Sequence, residues 1–153
     1  MRPGRAEASR ELPLAAHEVW DLLTDVRNHA RWVPLTRVDA PQRLTLGDAF
    51  TAWTGPFARA GLPGFADRMV VDRFDPPTTT SPGRATFRKL GPVLLGTAEV
   101  IVVPEGEACV VRWVEDVHVR GLPRRLTDPV LRRALGAMLR LVLRRVRAEL
   151  DAH

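Results

Sequence analysis

The 153-residue chain has no tyrosine, one cysteine (Cys109) and one lysine (Lys89). A single cysteine excludes an internal disulfide and a cysteine-based zinc site. Cys109 reads as a small buried hydrophobe rather than a reactive thiol. Without tyrosine, one common acid/base group and oxyanion donor is missing. The only serines are Ser9 and Ser81, and neither sits in a G-x-S-x-G turn. His17, His29, His118 and His153 lack the i, i+4 partner of a helical zinc site, so no metal is expected. Walker and Rossmann glycine patterns are absent too, and no cofactor is expected. No apolar run approaches the roughly 20 residues of a membrane span. The opening "MRPGRAEASRELPLAAHEVW" lacks the apolar core of a secretory signal. The expectation is one cytoplasmic domain over residues 1–153, monomeric or homodimeric, with a core of useful size.

What is present is 45% hydrophobic and 27% charged residues, a globular balance. The net charge of +5 is concentrated at one end. Residues 120–153 hold nine arginines against Asp128, Glu149 and Asp151, and the rest of the chain is close to neutral. The near-exclusive use of arginine over lysine reads as codon bias.

Periodicity divides the chain into elements. Residues 5–12 form a weak first strand ended by Pro13. Leu14, Val19, Leu22 and Leu23 share one face of a helix over 14–23, with Trp20 at its edge. Thr24 or Asp25 caps a second short helix from Val26 to Trp32, stopped by Pro34. Strands are predicted at 36–41, 48–55, 65–75, 84–91, 94–104 and 109–119, separated by Gly and Pro clusters. Short connections imply an antiparallel meander. The longer stretch 56–64, with Phe57, Leu62 and then Phe65, reads either as a lid or as an ordinary surface loop.

The end is one long helix. Thr127 or Asp128 is the predicted N-cap and Pro129 the first helical residue, with Leu150 near the end. Arg133, Arg140, Arg144 and Arg147 form one stripe. Apolar residues cover most of the remaining circumference, interrupted by Arg132 near an edge and by Arg145 well inside. So wide an apolar arc predicts a helix covered on several sides.

Four stretches carry a resemblance: "PLAAHEVWDLLTDVRNHARWVP", "FADRMVVDRFDPP", "GTAEVIVVPEGEACVVRWVEDV" and "TDPVLRRAL". In this order they resemble the START-like (SRPBCC) superfamily, in its polyketide cyclase/dehydrase and lipid-transport branch. The resemblance implies an α+β helix-grip fold. A curved antiparallel sheet of about seven strands (one strand, two short helices, six strands) would wrap around the long C-terminal helix. A cavity would lie between them, floored by the helix pair with Trp20 and Trp32.

Alternation assigns faces to the strands. Glu99 outside puts Thr97, Ile101 and Val103 outside and Ala98, Val100 and Val102 inside. Arg112 and Asp116 outside put Val111, Trp113, Glu115 and Val117 inside. Asp67 shares a face with Met69 and Val71, taken as inner, and Phe87 pairs with Ala85. Trp53 reads equally as ligand-stacking or as packing. From the helix, Leu135, Met138 and Val142 lie nearest the centre of the arc. The candidate ligand-binding residues are therefore Trp32, Trp53, Met69, Val71, Phe87, Val100, Val111, Trp113, Glu115, Leu135, Met138 and Val142. Glu115 is an acid among apolar residues, with Arg145 as its candidate partner. Together they are the candidate catalytic pair, unless Glu115 ends in water at a frayed strand end.

Three functions follow from these expectations. The first is enclosure of a small hydrophobic or aromatic molecule, polyketide- or lipid-like. The second is a polyketide cyclase or dehydratase acting in the same cavity. The third is a surface-interaction protein using the basic helix face on an anionic membrane surface or RNA. No aromatics interleave the arginines, so no nucleic-acid partner is expected.

Overall fold

The computed structural model describes residues 5–61 and 64–153; Leu62 lies outside them. Strand β1 (Arg5–Leu12) leads into helix α1 (Ala16–Thr24). A 3-10 turn (Val26–Asn28) and helix α2 (His29–Trp32) follow. Six strands come next: β2 (Thr36–Asp39), β3 (Ala49–Thr54), β4 (Phe65–Asp75), β5 (Gly83–Pro92), β6 (Leu94–Glu105) and β7 (Ala108–Val119). Helix α3 (Arg124–Asp151) closes the chain.

The strands make one antiparallel sheet in the order β1-β7-β6-β5-β4-β3-β2. It is a curled half-barrel, with α3 against β1 and β7 and close to α2. One core cluster joins α1, α2, α3 and the inner faces of the strands. This is the expected α+β helix-grip architecture, with strand boundaries within two residues of those predicted.

Local chemistry explains most of the elements. Asp25 caps the turn after α1, its carboxylate accepting the Arg27 N–H at 3.3 Å. Val19, Trp20 and Leu23 bury the inner face of α1, and Trp20 packs on Phe74 with ring centroids 5.2 Å apart. On β6, Gly96 adopts φ +119, and a Cβ there would fall 2.2 Å from the Asp116 carbonyl oxygen. Only glycine allows β6 and β7 to come so close at this position.

The long helix departs from expectation in two ways. It starts one turn earlier, after Pro123, and takes Pro129 inside it. Leu126 and Thr127 donate to the Pro123 carbonyl, and Arg124 pairs with the buried Asp128 across one turn at 3.0 Å. The carbonyl that Pro129 leaves without a partner belongs to exposed Arg125, where water can replace it. The covered face is also narrower than predicted. Gly136, Leu139, Val142, Leu143 and Val146 are buried, whereas Leu126 and Val130 are exposed. The half-barrel grips one side of the helix rather than surrounding it.

Candidate functional site

The inner face of the sheet collects most of the residues singled out by alternation. Met69, Val71, Phe87, Val100, Val111 and Trp113 are buried in the same core cluster as Trp32 and Val142. Leu135 and Met138 are partly buried against it. Phe50 also faces inward and meets Phe87 edge-on, with centroids 5.5 Å apart.

That contact settles the face of β3. Trp53 lies on the opposite face from Phe50 and is half-buried. Its Nε1 donates to Asp39 Oδ2 at 3.0 Å, and the Arg37 guanidinium stacks 5.6 Å from its ring centroid. Of the two readings of Trp53, the structure selects packing on the outside.

Alternation places Ile101 on the outer face, yet it is only 5% exposed. Its cross-strand neighbours are Arg84 and Arg112, whose hydrocarbon stems can cover an apolar residue.

Glu115 is buried, as its alternation requires, and not in water at a frayed end. Its predicted partner is wrong. Arg145 is exposed, and its Nη1 donates instead to the Trp32 carbonyl at 2.9 Å. The wheel puts Arg145 within the apolar arc, but α3 turns that edge toward α2 and solvent. The Glu115–Arg145 pair is therefore absent, and Arg145 has no place among inward-facing catalytic groups.

The cation beside Glu115 is the chain's one lysine. Lys89 Nζ donates to Asp67 Oδ2 at 2.6 Å and lies 3.6 Å from Glu115 Oε2. Its side chain is only 3% exposed, and the Met69 sulfur lies 3.7 Å from Nζ. Asp67 comes from β4, Lys89 from β5 and Glu115 from β7. Between them β6 presents Gly96 opposite Lys89 and Ala98 opposite Glu115. Two small residues on the intervening strand leave room for lysine to reach across.

The triad's electrostatics follow from its burial. Burial works against the Lys89 ammonium, but the carboxylates of Glu115 and Asp67 more than offset it, and Lys89 stays protonated. Burial pushes Glu115 up from the ordinary carboxyl range, and Asp67 adds to that rise, against the pull of Lys89. Two carboxyl groups thus share one ammonium, in an interior where a charge without a partner is costly.

Several polar atoms inside the fold have no partner. Asp67 Oδ1, Trp113 Nε1 and Glu115 Oε2 are buried without a hydrogen bond. All three side chains sit at inward positions of their strands. Next to them, the His29 ring packs tilted against Trp32 and Trp113, with centroids 5.7 Å and 5.1 Å away. Its Nε2–H donates to the Leu23 carbonyl at 2.8 Å. Burial drives its pKa down to about 4, so it stands as a neutral imidazole at neutral pH.

Cys109 is fully buried, and burial lifts its thiol to about 11. Among the described residues no cluster of His, Cys, Asp and Glu is arranged to hold a metal ion. No helix among them is long and apolar enough to cross a membrane. Depressions are also present on the outside. One of about 520 Å³ lies between α1 and the loops after β2 and β4, and one of about 330 Å³ between β1 and α3. Neither is lined by any of the unpaired buried groups.

Sequence reasoning missed Lys89 and did not use Asp67. The signal existed: Lys89 continues the inward alternation of Ala85 and Phe87, and Asp67 that of Met69 and Val71. A lone lysine in a strand is ordinarily solvated, and only the register across β6 brings it to Glu115.

Residues 3–151 match the family described as polyketide cyclase/dehydrase and lipid transport. No curated protein matches the chain. Among solved structures, a hypothetical protein of Helicobacter pylori is similar with a TM-score of 0.75 at 13% identity, covering 95% of this chain and 86% of that one. A START superfamily protein of Mycobacterium smegmatis gives 0.72 at 11% identity, covering 97% of both chains. BexL, the di-domain ARO/CYC of the BE-7585A biosynthetic pathway, gives 0.64 at 22% identity, covering all of this chain and 48% of that one. At these identities the likenesses speak for the fold.

Proposed function

We propose, because this chain belongs to the polyketide cyclase/dehydrase and lipid transport family, that it encloses a small hydrophobic or aromatic molecule between the inner face of the sheet and α3. The observation that carries this reading is the set of unpaired buried polar atoms on Asp67, Trp113 and Glu115 among apolar and aromatic neighbours. A buried donor or acceptor without a partner is costly. A ligand seated among these residues supplies the missing partner, and the surrounding Met69, Phe87 and Val100 supply its apolar contact. Small-molecule sites commonly combine a mostly apolar lining with a few converging polar groups.

One observation favours a second reading, a cyclase or dehydratase acting on the enclosed molecule. Lys89, Asp67 and Glu115 converge as one ammonium and two carboxyl groups in one buried set. An enzyme needs at least two such groups at the reacting end.

The test is native mass spectrometry of freshly purified protein, with the organic extract analysed in parallel. Retained apolar material, or saturable uptake of the apolar dye N-phenyl-1-naphthylamine, is the expected result. An apo mass together with no dye uptake would sink the enclosure reading.

A further inference from the structure

Helix α3 lies along the free edge of β1, and arginines line the seam between them. Strand β1 is the end strand of the sheet and pairs with β7 alone. Two adjoining depressions follow its other edge. The first, of about 330 Å³, is lined by Arg5 from β1 and by Arg132, Arg133 and Arg140 from α3. The second, of about 340 Å³, is lined by Arg10 from β1 and by Arg140 and Arg144 from α3. Arg140 borders both, so the two make one trough that opens to solvent. The two arginine rows match in length: Arg5 to Arg10 covers about 17 Å of strand, and Arg132 to Arg144 about 18 Å of helix. Gly136 lies on the trough wall, and a Cβ there would come within 3.3 Å of Arg140 Nη1. Glycine therefore lets that guanidinium lie along the trough.

Little of this charge is neutralised. The side chains of Arg10, Arg133, Arg140 and Arg144 have no hydrogen-bond or ion-pair partner among the described residues. Glu7 is the one acid lining either depression, and Arg112 and Arg5 already hold it. Unpaired cations along one seam repel one another, and an anion between the rows relieves that repulsion.

The lining narrows the anion. A guanidinium fork meets phosphate oxygens two at a time. Facing rows suit a thread that carries charge along its whole length. No aromatic side chain lines the trough, so nothing there stacks a nucleobase or anchors a protein partner. A flat bilayer would meet the α3 rim without entering. We infer that the β1–α3 trough binds a linear chain of phosphates, an inorganic polyphosphate, between Arg5 and Arg10 on one wall and Arg133, Arg140 and Arg144 on the other. The trough lies outside the concave face, so its occupancy is independent of what the interior encloses.

The experiment titrates the intact protein calorimetrically with medium-chain polyphosphate, oligouridylate and poly-glutamate at matched charge, and measures sedimentation with phosphatidylglycerol vesicles. Polyphosphate is expected to bind saturably and about tenfold more tightly than the other two polymers. Its log affinity should fall against log salt with a slope of about −3 to −4, the release expected of four to six contacts on a flexible phosphate chain. The double variant Arg140→Gln/Arg144→Gln should bind about tenfold more weakly or worse and flatten that slope by about one. Removing the same charge elsewhere, in Arg43→Gln/Arg68→Gln, should change affinity less than about twofold. Equal losses in the two double variants would mean net charge rather than the trough, and would overturn the inference. So would absence of polyphosphate binding, equal or tighter binding of oligouridylate or poly-glutamate, or vesicle binding that polyphosphate does not displace. The comparison of polymers on the wild-type protein decides even if a variant fails to fold.

Discussion

At the scale of single residues, burial decides what each titratable group does. Lys89 is tied to Asp67 at 2.6 Å in a nearly dry setting. Lys89→Met should therefore leave a carboxylate buried without its cation, costing about 3–5 kcal/mol in urea unfolding. Adding Asp67→Leu to that variant should recover most of the loss, and no recovery would argue against the ion pair as the cause. His29 makes a second prediction. The folded pKa is held near 4, while an unfolded imidazole titrates near 6.5. The unfolded chain thus binds the proton more readily. The stability contributed by neutral His29 is full above pH 6.5 and drains as pH falls toward 4. Between pH 7 and pH 5 the loss should be about 1–2 kcal/mol. His29→Gln should flatten the urea midpoint over that window, and parallel wild-type and variant curves would refute it. Glu115 works in the opposite sense, since its raised pKa adds stability at low pH and loses it as pH rises through the folded value. The inward positions of Glu115 and Trp113 were legible from alternation alone. Lys89 was not, because a strand period says which side a residue faces and nothing about what lies across two neighbouring strands.

At the scale of elements, Gly136 is the odd residue of α3. It is buried in mid-helix, where glycine costs about 0.5–1 kcal/mol relative to alanine. A Cβ there would meet only the tip of the Arg140 side chain, at 3.3 Å, and a guanidinium can swing aside. Gly136→Ala should raise stability by up to about 1 kcal/mol, read as a higher thermal midpoint with an unchanged fold. A fall would mean that Arg140 is held in place. The same helix shows where periodic patterns mislead. Thr127, Asp128 and Pro129 carry the ordinary signals of a helix start, yet α3 begins at Arg124. The Arg124–Asp128 pair and the Pro123 carbonyl bonds support the extra turn. Strand and turn positions, by contrast, needed no tertiary help. Gly and Pro punctuate the meander, and β-hairpins are made by neighbours in sequence.

At the scale of the whole molecule, the C-terminal end of α3 is fastened to α2. Glu149 accepts from Arg31 Nε at 2.8 Å and from Trp32 Nε1 at 3.2 Å, while Arg145 holds the Trp32 carbonyl. These contacts close one end of the concave face over Trp32, which is fully buried. Glu149→Ala should release both donors. A loss of about 1–2 kcal/mol is expected, together with faster amide exchange in the last turns of α3 and in α2. Unchanged exchange there would show that packing of Trp32 alone holds the two helices.

The order of elements, the antiparallel meander and the inner faces of β5 to β7 were determined by the sequence by itself. Each depends on patterns of period 2 or 3.6 and on turn residues, which act between near neighbours. Three things were decided only in the tertiary structure: the partner of Glu115, the outward placement of Trp53 and the narrow buried face of α3. Arg145 and Lys89 were both cations within the reach of plausible patterns. The register of β5, β6 and β7, with Gly96 and Ala98 small enough to be crossed, put Lys89 beside the acid. The turn of α3 toward α2 gave Arg145 a carbonyl instead. Such choices depend on which strand lies next to which and how far one has slid past another, and no local period carries that information.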